Sequence, residues 1–352
     1  MQDKISFKND YSEGAHPYVL EVLSQTNQQQ QAGYGHDQIS QHARSLIRSA
    51  IQREESSVFF VAGGTQANLL VISHLLRSYQ SVIAVDSAHI HVHETGAIES
   101  AGHKINLVRH VDGKLNVAAI QEILSSHQDN HMVMPKMVYL SHCTELGTIY
   151  RKSELKDISQ FCRSKGLLLF LDGARLGCAL TADGNDLSLS DIADYCDVFY
   201  IGATKNGGLL GEAIVFPDPD LSTGFDFHLK QKGALLAKGR LLGAQFYALL
   251  ETGLFFDLAR HANGMAARLA QAFRDRGYAF AFPPVSNQIF PILPVALIER
   301  LQRKYDFYRW QSVDDNSAVV RLVCSWATTK ESVDRLIDDL LPQTQQRNID
   351  SI

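Results

Sequence analysis

Cysteine is scarce in this sequence. Five residues, Cys143, Cys162, Cys178, Cys196 and Cys324, are spread over 352 positions, and none forms a Cys-x-x-Cys pair. An odd, widely spaced set excludes a disulfide framework and a structural zinc site, and it points to a reducing cytoplasm. Long apolar runs are also missing. The stretches 167–171 and 292–298 fall far short of the ~20 residues that a membrane span needs. The opening Met1-Gln2-Asp3-Lys4 carries an acid and no apolar stretch follows it, so no secretory signal is expected. Basic runs are absent, and the net charge is −5. That balance argues against sequence-independent binding of nucleic acid.

What is present reads as a globular chain. Hydrophobic residues make up 45% and charged residues 20%, which excludes a disordered protein. At ~150 residues per domain the length predicts two domains. Between about residues 56 and 216, short apolar runs alternate with helical patterns. Expected strands are 58–61, 82–85, 105–108, 138–140, 167–171, 198–201 and 213–216. Continuous apolar runs suit strands covered on both faces by helices, so an α/β domain with a mainly parallel sheet is predicted. Asp37 and Ser153 are expected helix caps, Gly166 an expected helix stop, and Ser188 to Asp191 a capping box. After about residue 240 the pattern changes to helices over 241–251 and 254–274, weak strands near 287–292 and 318–323, and a last helix over about 331–341. The division expected is an N-terminal arm (1–15), a large domain (16–240) and a smaller α+β domain (241–352).

Three segments could carry chemistry. Gly63-Gly64-Thr65-Gln66-Ala67-Asn68 follows a strand and opens a helix. It is either a plain glycine-rich turn or a cradle for a phosphate, because free N–H groups at a helix start favour an anion. Asp172-Gly173-Ala174-Arg175 ends an apolar strand. Asp172 is either a helix cap or a partner for a protonated ring nitrogen, and Arg175 is either a surface residue or a carboxylate fork. Lys205 follows another apolar strand among small residues. It is either a solvated lysine or an amine made nucleophilic by shielding from water. Taken together, a phosphate cradle, an acid and an amine beyond the strands of one sheet match the needs of pyridoxal 5'-phosphate. No metal site is expected; His91, His93 and His103 read as an irregular histidine-rich stretch.

With Gly35-His36-Asp37, Ala88-His89 and Arg321-Leu322-Val323 added, the sequence resembles the L-threonine aldolase / β-eliminating lyase family of fold-type I pyridoxal-phosphate enzymes, from Phe7 to about Trp326. The resemblance implies an aspartate-aminotransferase-like large domain and a small C-terminal domain. It implies that Lys205 carries the cofactor, Asp172 meets its ring nitrogen, Gly64 and Thr65 hold its phosphate, and His89 stacks on its ring. Arg175 and Arg321 are then the groups that fix an amino-acid carboxylate. Tyr34 approaches a neighbouring subunit's site, and Lys238 reaches a neighbour's phosphate. The implied assembly is a homodimer or homotetramer with active sites at the dimer interface. The implied reaction is cleavage of an L-β-hydroxy-α-amino acid to glycine and an aldehyde, with His89 or a held water as base. β-Elimination and transamination on the same scaffold are the alternatives.

Two departures from the family stand out. Lys8-Asn9-Asp10-Tyr11 replaces its usual Arg-Ser-Asp-Thr, leaving Asn9 as the substrate-binding candidate there. Ser141-His142-Cys143-Thr144-Glu145 replaces Asn-Thr-His-Asn, so Cys143 takes the histidine's place. Adjacent strand residues face opposite ways, so His142 is not expected to substitute for it. Glu145 is either a substrate contact or a solvated loop acid.

Overall fold

The computed structural model describes residues 4–340. Met1 to Asp3 and the expected end of the last helix at Leu341 lie outside them. The described chain opens with the short strand β1 (Ile5–Ser6). Seven strands then build one sheet: β2 (Ser57–Val61), β3 (Gln80–Val85), β4 (Ile105–Val108), β5 (Met134–Ser141), β6 (Leu168–Asp172), β7 (Val198–Gly202) and β8 (Glu212–Phe216). Their order across the sheet is β2-β8-β7-β6-β5-β3-β4. All neighbours are parallel except those of β8, which runs against both β2 and β7. The expected mainly parallel sheet is present. β3, β7 and β8 are buried along their whole length, as continuous apolar runs require.

Helix ends follow local chemistry. Asp37 accepts a hydrogen bond from the Ser40 backbone N–H at 2.8 Å and caps Gln38–Ile51. Ser188 and Asp191 bond reciprocally, as a capping box does. Ser153, in contrast, is not a cap. Helix Lys152–Lys165 starts before it, because Glu154 accepts from the Arg151 N–H at 2.7 Å and Asp186 from the Lys152 N–H at 2.8 Å. Gly166, at φ +63°, ends that helix in the left-handed region.

The smaller unit contains β9 (Gln288–Ile289), β10 (Ile292–Pro294), β11 (Tyr305–Asp306), β12 (Tyr308–Ser312) and β13 (Ser317–Val323). β13 is central and pairs antiparallel with β9, β10 and β12. Two buried clusters place the passage between units differently from residues 240/241. Helix Arg240–Glu251 buries Leu242, Phe246 and Leu249 in the large core, which extends to Leu258. The second core takes over at Ala266, so the passage falls inside the long helix Leu254–Asp275. The arm at the chain start belongs with the second core. Phe7 is buried there, and β1 pairs with β11.

Candidate active site

In an open parallel sheet, ligands collect beyond the carboxyl ends of the strands. Here the segments after β2, β3, β5, β6 and β7 meet at two adjoining cavities of about 340 and 460 Å³. Both are lined by Tyr11, His89, Glu145, Arg175 and Lys205. Gly64, Thr65, Asp172 and Glu212 line only the deeper one, and Tyr308, Trp310 and Arg321 only the outer one. Helix Gly64–Leu75 starts at the deeper cavity, so its unbonded N–H groups and dipole favour an anion there.

Asp172 is held as a charged group. Its Oδ2 accepts from the Tyr139 hydroxyl at 2.5 Å and from Asn68 Nδ2 at 3.1 Å, and its Oδ1 accepts from the Ala174 N–H at 3.0 Å. Burial raises its pKa, but the charge of His89 and the hydroxyls of Tyr139 and Tyr200 outweigh burial and lower it. Asn68 Nδ2 also donates to Glu94 Oε1 at 2.7 Å, and His89 Nδ1 shares that oxygen at 2.8 Å. A chain of contacts therefore runs from Asp172 through Asn68 and Glu94 to His89.

Lys205 has no hydrogen bond or ion pair among the described residues. Burial, and next the positive charge of Arg175, lower its pKa below that of an ordinary lysine. Burial likewise lifts nearby Glu212 to about 8, leaving a neutral acid at pH 7. Arg175 lies in a two-point ion pair with Asp10, and Asn287 also donates to Asp10 at 3.0 Å. Arg321 donates to Gln288 Oε1 from Nε at 3.2 Å and from Nη2 at 2.6 Å, and its guanidinium lies 5.7 Å from the Trp310 ring centroid.

Gly64, Thr65, His89, Asp172, Arg175, Lys205 and Arg321 thus share one site. Three other candidates do not reach it within a single chain. Asn9 Oδ1 is used locally, accepting from the Tyr11 N–H at 3.0 Å and the Ser12 hydroxyl at 2.9 Å. It closes a turn, and its neighbours Asp10 and Tyr11 face the site instead. Tyr34 is exposed and lines a separate cavity with Arg44 and Arg48. Lys238 is exposed and lines neither active-site cavity.

His142 and Cys143 do face opposite ways. Cys143 lines the deeper cavity, while His142 is fully buried and accepts from the Tyr150 N–H at 3.3 Å. Glu145 is no solvated acid; it stands between the two cavities. The sequence reading missed Asn68, Glu94, Tyr139, Tyr200, Asp10 and Glu212. Two signals were available: tyrosines inside apolar strands, whose buried hydroxyls need partners, and a glutamate opening the strand Glu212–Phe216.

Comparisons with known proteins agree with this geometry. The family described as beta-eliminating lyase matches residues 16–294. A low-specificity L-threonine aldolase of Pseudomonas aeruginosa is 36% identical over 95% of this chain and 96% of its own length. A threonine aldolase structure from Leishmania major is 46% identical with a TM-score of 0.93, covering 95% of this chain and 98% of that one. Aspartate aminotransferase of Thermus thermophilus, 14% identical at a TM-score of 0.72 over 96% of this chain and 91% of its own, shares the fold. A family match over most of the chain, near-full-length relatives and one convergent site together make this chain a member of the beta-eliminating lyase family.

Proposed function

We propose that this protein cleaves an L-β-hydroxy-α-amino acid, such as threonine or allo-threonine, to glycine and an aldehyde with pyridoxal 5'-phosphate as cofactor. The observation that carries the reading is the pairing of Lys205 and Asp172 in one cavity. One is a half-buried amine without a hydrogen bond or ion pair among the described residues, and the other is a buried carboxylate kept charged. The residues fit the cofactor. An amine with a lowered pKa suits covalent attachment of its carbonyl, a charged acid suits its ring nitrogen, and the helix start at Gly64 and Thr65 suits its phosphate.

The bound cofactor supplies an electron sink for the bond broken at Cα. Lys205 would hold it covalently through its amine. Asp172 keeps the ring nitrogen protonated, with its charge secured by Tyr139, Tyr200 and Asn68. His89, braced by Glu94, would pack against the cofactor. Arg321 would grip the substrate carboxylate from the outer cavity and so orient the substrate. Arg175, whose Nε and Nη2 are engaged by Asp10, contributes its remaining nitrogen and its positive charge.

This reading includes a homodimer or homotetramer in which Tyr34 and Lys238 serve a neighbouring subunit's site. Neither lines Lys205's cavity within one chain, which supports that part. The five free, buried cysteines support a reducing, cytoplasmic setting. No helix among the described residues is long and apolar enough to cross a membrane. The replacement of the family's histidine by Cys143 keeps β-elimination or transamination as the second reading. The test is the visible spectrum of the purified protein with L-threonine, L-allo-threonine and L-phenylserine, assayed in parallel for aldehyde and for 2-oxo acid. Aldehyde release supports aldol cleavage, whereas 2-oxo acid alone transfers the assignment to the second reading. Lys205→Ala abolishes the visible band; a retained band would overturn the role of Lys205.

A further inference from the structure

We propose that Glu145 takes the proton from the β-hydroxyl of the substrate; the inference rests on the aldol-cleavage reading. Glu145 is the one carboxylate that lines both cavities, while Asp172 and Glu212 line only the deeper one. It therefore shares both cavities with Lys205, and the outer one also with Arg321. Its orientation is set by the sheet. Ser141, the last residue of β5, donates its hydroxyl to Oε1 at 2.6 Å, and the His89 backbone N–H donates to the same oxygen at 3.0 Å. No other residue among those described donates to Oε2. One carboxylate oxygen is anchored and the other is left for a ligand, an arrangement that costs little reorganisation during reaction.

The neighbouring groups are less suited to this step. Burial pushes the Cys143 thiol up to about 12, so it stays protonated near neutral pH. His142 faces away from the cavity. Asp172 already accepts from Tyr139, Asn68 and the Ala174 N–H. His89 Nδ1 is tied to Glu94. His93 lines both cavities, but it is exposed and no hydrogen bond among the described residues fixes its ring. Burial raises the pKa of Glu145 toward the working range of a general base. In the step itself, Oε2 accepts the hydroxyl proton and the O–H electron pair becomes the second C–O bond of the aldehyde. The Cα–Cβ bond breaks, its pair is left at Cα, where the bound cofactor would stabilise it, and a proton taken up there completes glycine. No oxidant or reductant is needed.

The test compares Glu145→Gln and His93→Gln holoenzymes with the unmodified protein in two assays. One is aldehyde release from L-threonine and L-allo-threonine. The other is exchange of the glycine Cα hydrogen in D₂O followed by NMR, which needs Lys205 and the cofactor but no hydroxyl. For Glu145→Gln, aldehyde release falls by roughly 10²–10⁴-fold, the range for a lost general base, while glycine exchange and the visible band persist. Aldehyde release within about tenfold of the unmodified protein would overturn the proposal, as would a parallel loss of exchange, which would make Glu145 a support of the cofactor site. A comparable loss in His93→Gln alone would assign the step to His93. Unmodified protein that exchanges glycine but cleaves no β-hydroxy acid would instead sink the aldol reading itself.

Discussion

Asp10 and Arg175, 165 residues apart in the chain, meet in a two-point ion pair, Nε to Oδ2 at 2.7 Å and Nη2 to Oδ1 at 2.9 Å. The pair ties the N-terminal segment to the loop after β6, and it brings Tyr11 to the wall of both cavities. Both partners are buried, so neither charge can be left alone without cost.

Asp10→Ala is therefore expected to destabilise the protein by roughly 3–5 kcal/mol, the range for breaking a buried pair from one side. Burial raises the carboxyl of Asp10, but Arg175 outweighs it and brings the value down to about 2. A depressed acid stabilises the fold above its unfolded pKa, and that stability is lost as pH falls through the folded value. The expected loss between pH 4 and 2 is about 2 kcal/mol. Urea unfolding of both proteins across that range checks it; an equal acid loss in the variant would disprove the assignment.

His142 makes a prediction in a higher window. Burial holds its imidazole at about 4, so the unfolded chain binds a proton that the folded one refuses. Stability from this group is complete above about 6.5 and declines by roughly 3 kcal/mol as pH falls to 4. His142→Gln removes that decline. Parallel melting curves at pH 7 and pH 4.5 measure it, and an unchanged pH slope in the variant would contradict the account.

Arg321→Lys tests the carboxylate grip. A lysine cannot present the planar two-nitrogen edge, and KM for L-threonine is expected to rise roughly 10–100-fold, the scale of a lost charge-assisted hydrogen bond. The visible band of the bound cofactor stays, because Arg321 lines only the outer cavity. Loss of that band along with KM would place Arg321 in the cofactor site instead.

Two glycines behave oppositely. A Cβ on Gly173 would lie 1.8 Å from the Tyr200 carbonyl oxygen, between β6 and β7, so Gly173→Ala forces these strands apart. It is expected to cost at least about 3 kcal/mol or to give no soluble protein. Gly264, inside helix Leu254–Asp275, has nothing within 4 Å of its Cβ position. Gly264→Ala should stabilise by about 0.5–1 kcal/mol through helix propensity. Thermal unfolding distinguishes the two, and a stabilising Gly173→Ala would refute the packing argument.

The sheet and most of its helices were legible as a linear pattern. Apolar runs such as 82–85 and 198–201 mark doubly covered strands, because burial on both faces leaves no place for polar residues. Lys205, Asp172, Gly64 and Thr65 were legible for a related reason. Each follows such a run, and a parallel sheet gathers the ends of its strands on one side. Strand Tyr308–Ser312 was not legible. It is an edge strand with a polar, largely exposed sequence, and only pairing with Ser317–Val323 brings Tyr308 and Trp310 beside Arg321. Asn9 stands where the family has its serine, but the turn that Asn9 closes decides which neighbour faces inward, and no linear pattern shows that turn. Tyr139 and Asn68, which bond Asp172, and His89, which bonds Glu145, come from segments tens of residues away. Long-range hydrogen bonds of this kind leave no periodic trace in the chain; they exist only once packing has removed water from both groups and left each needing the other.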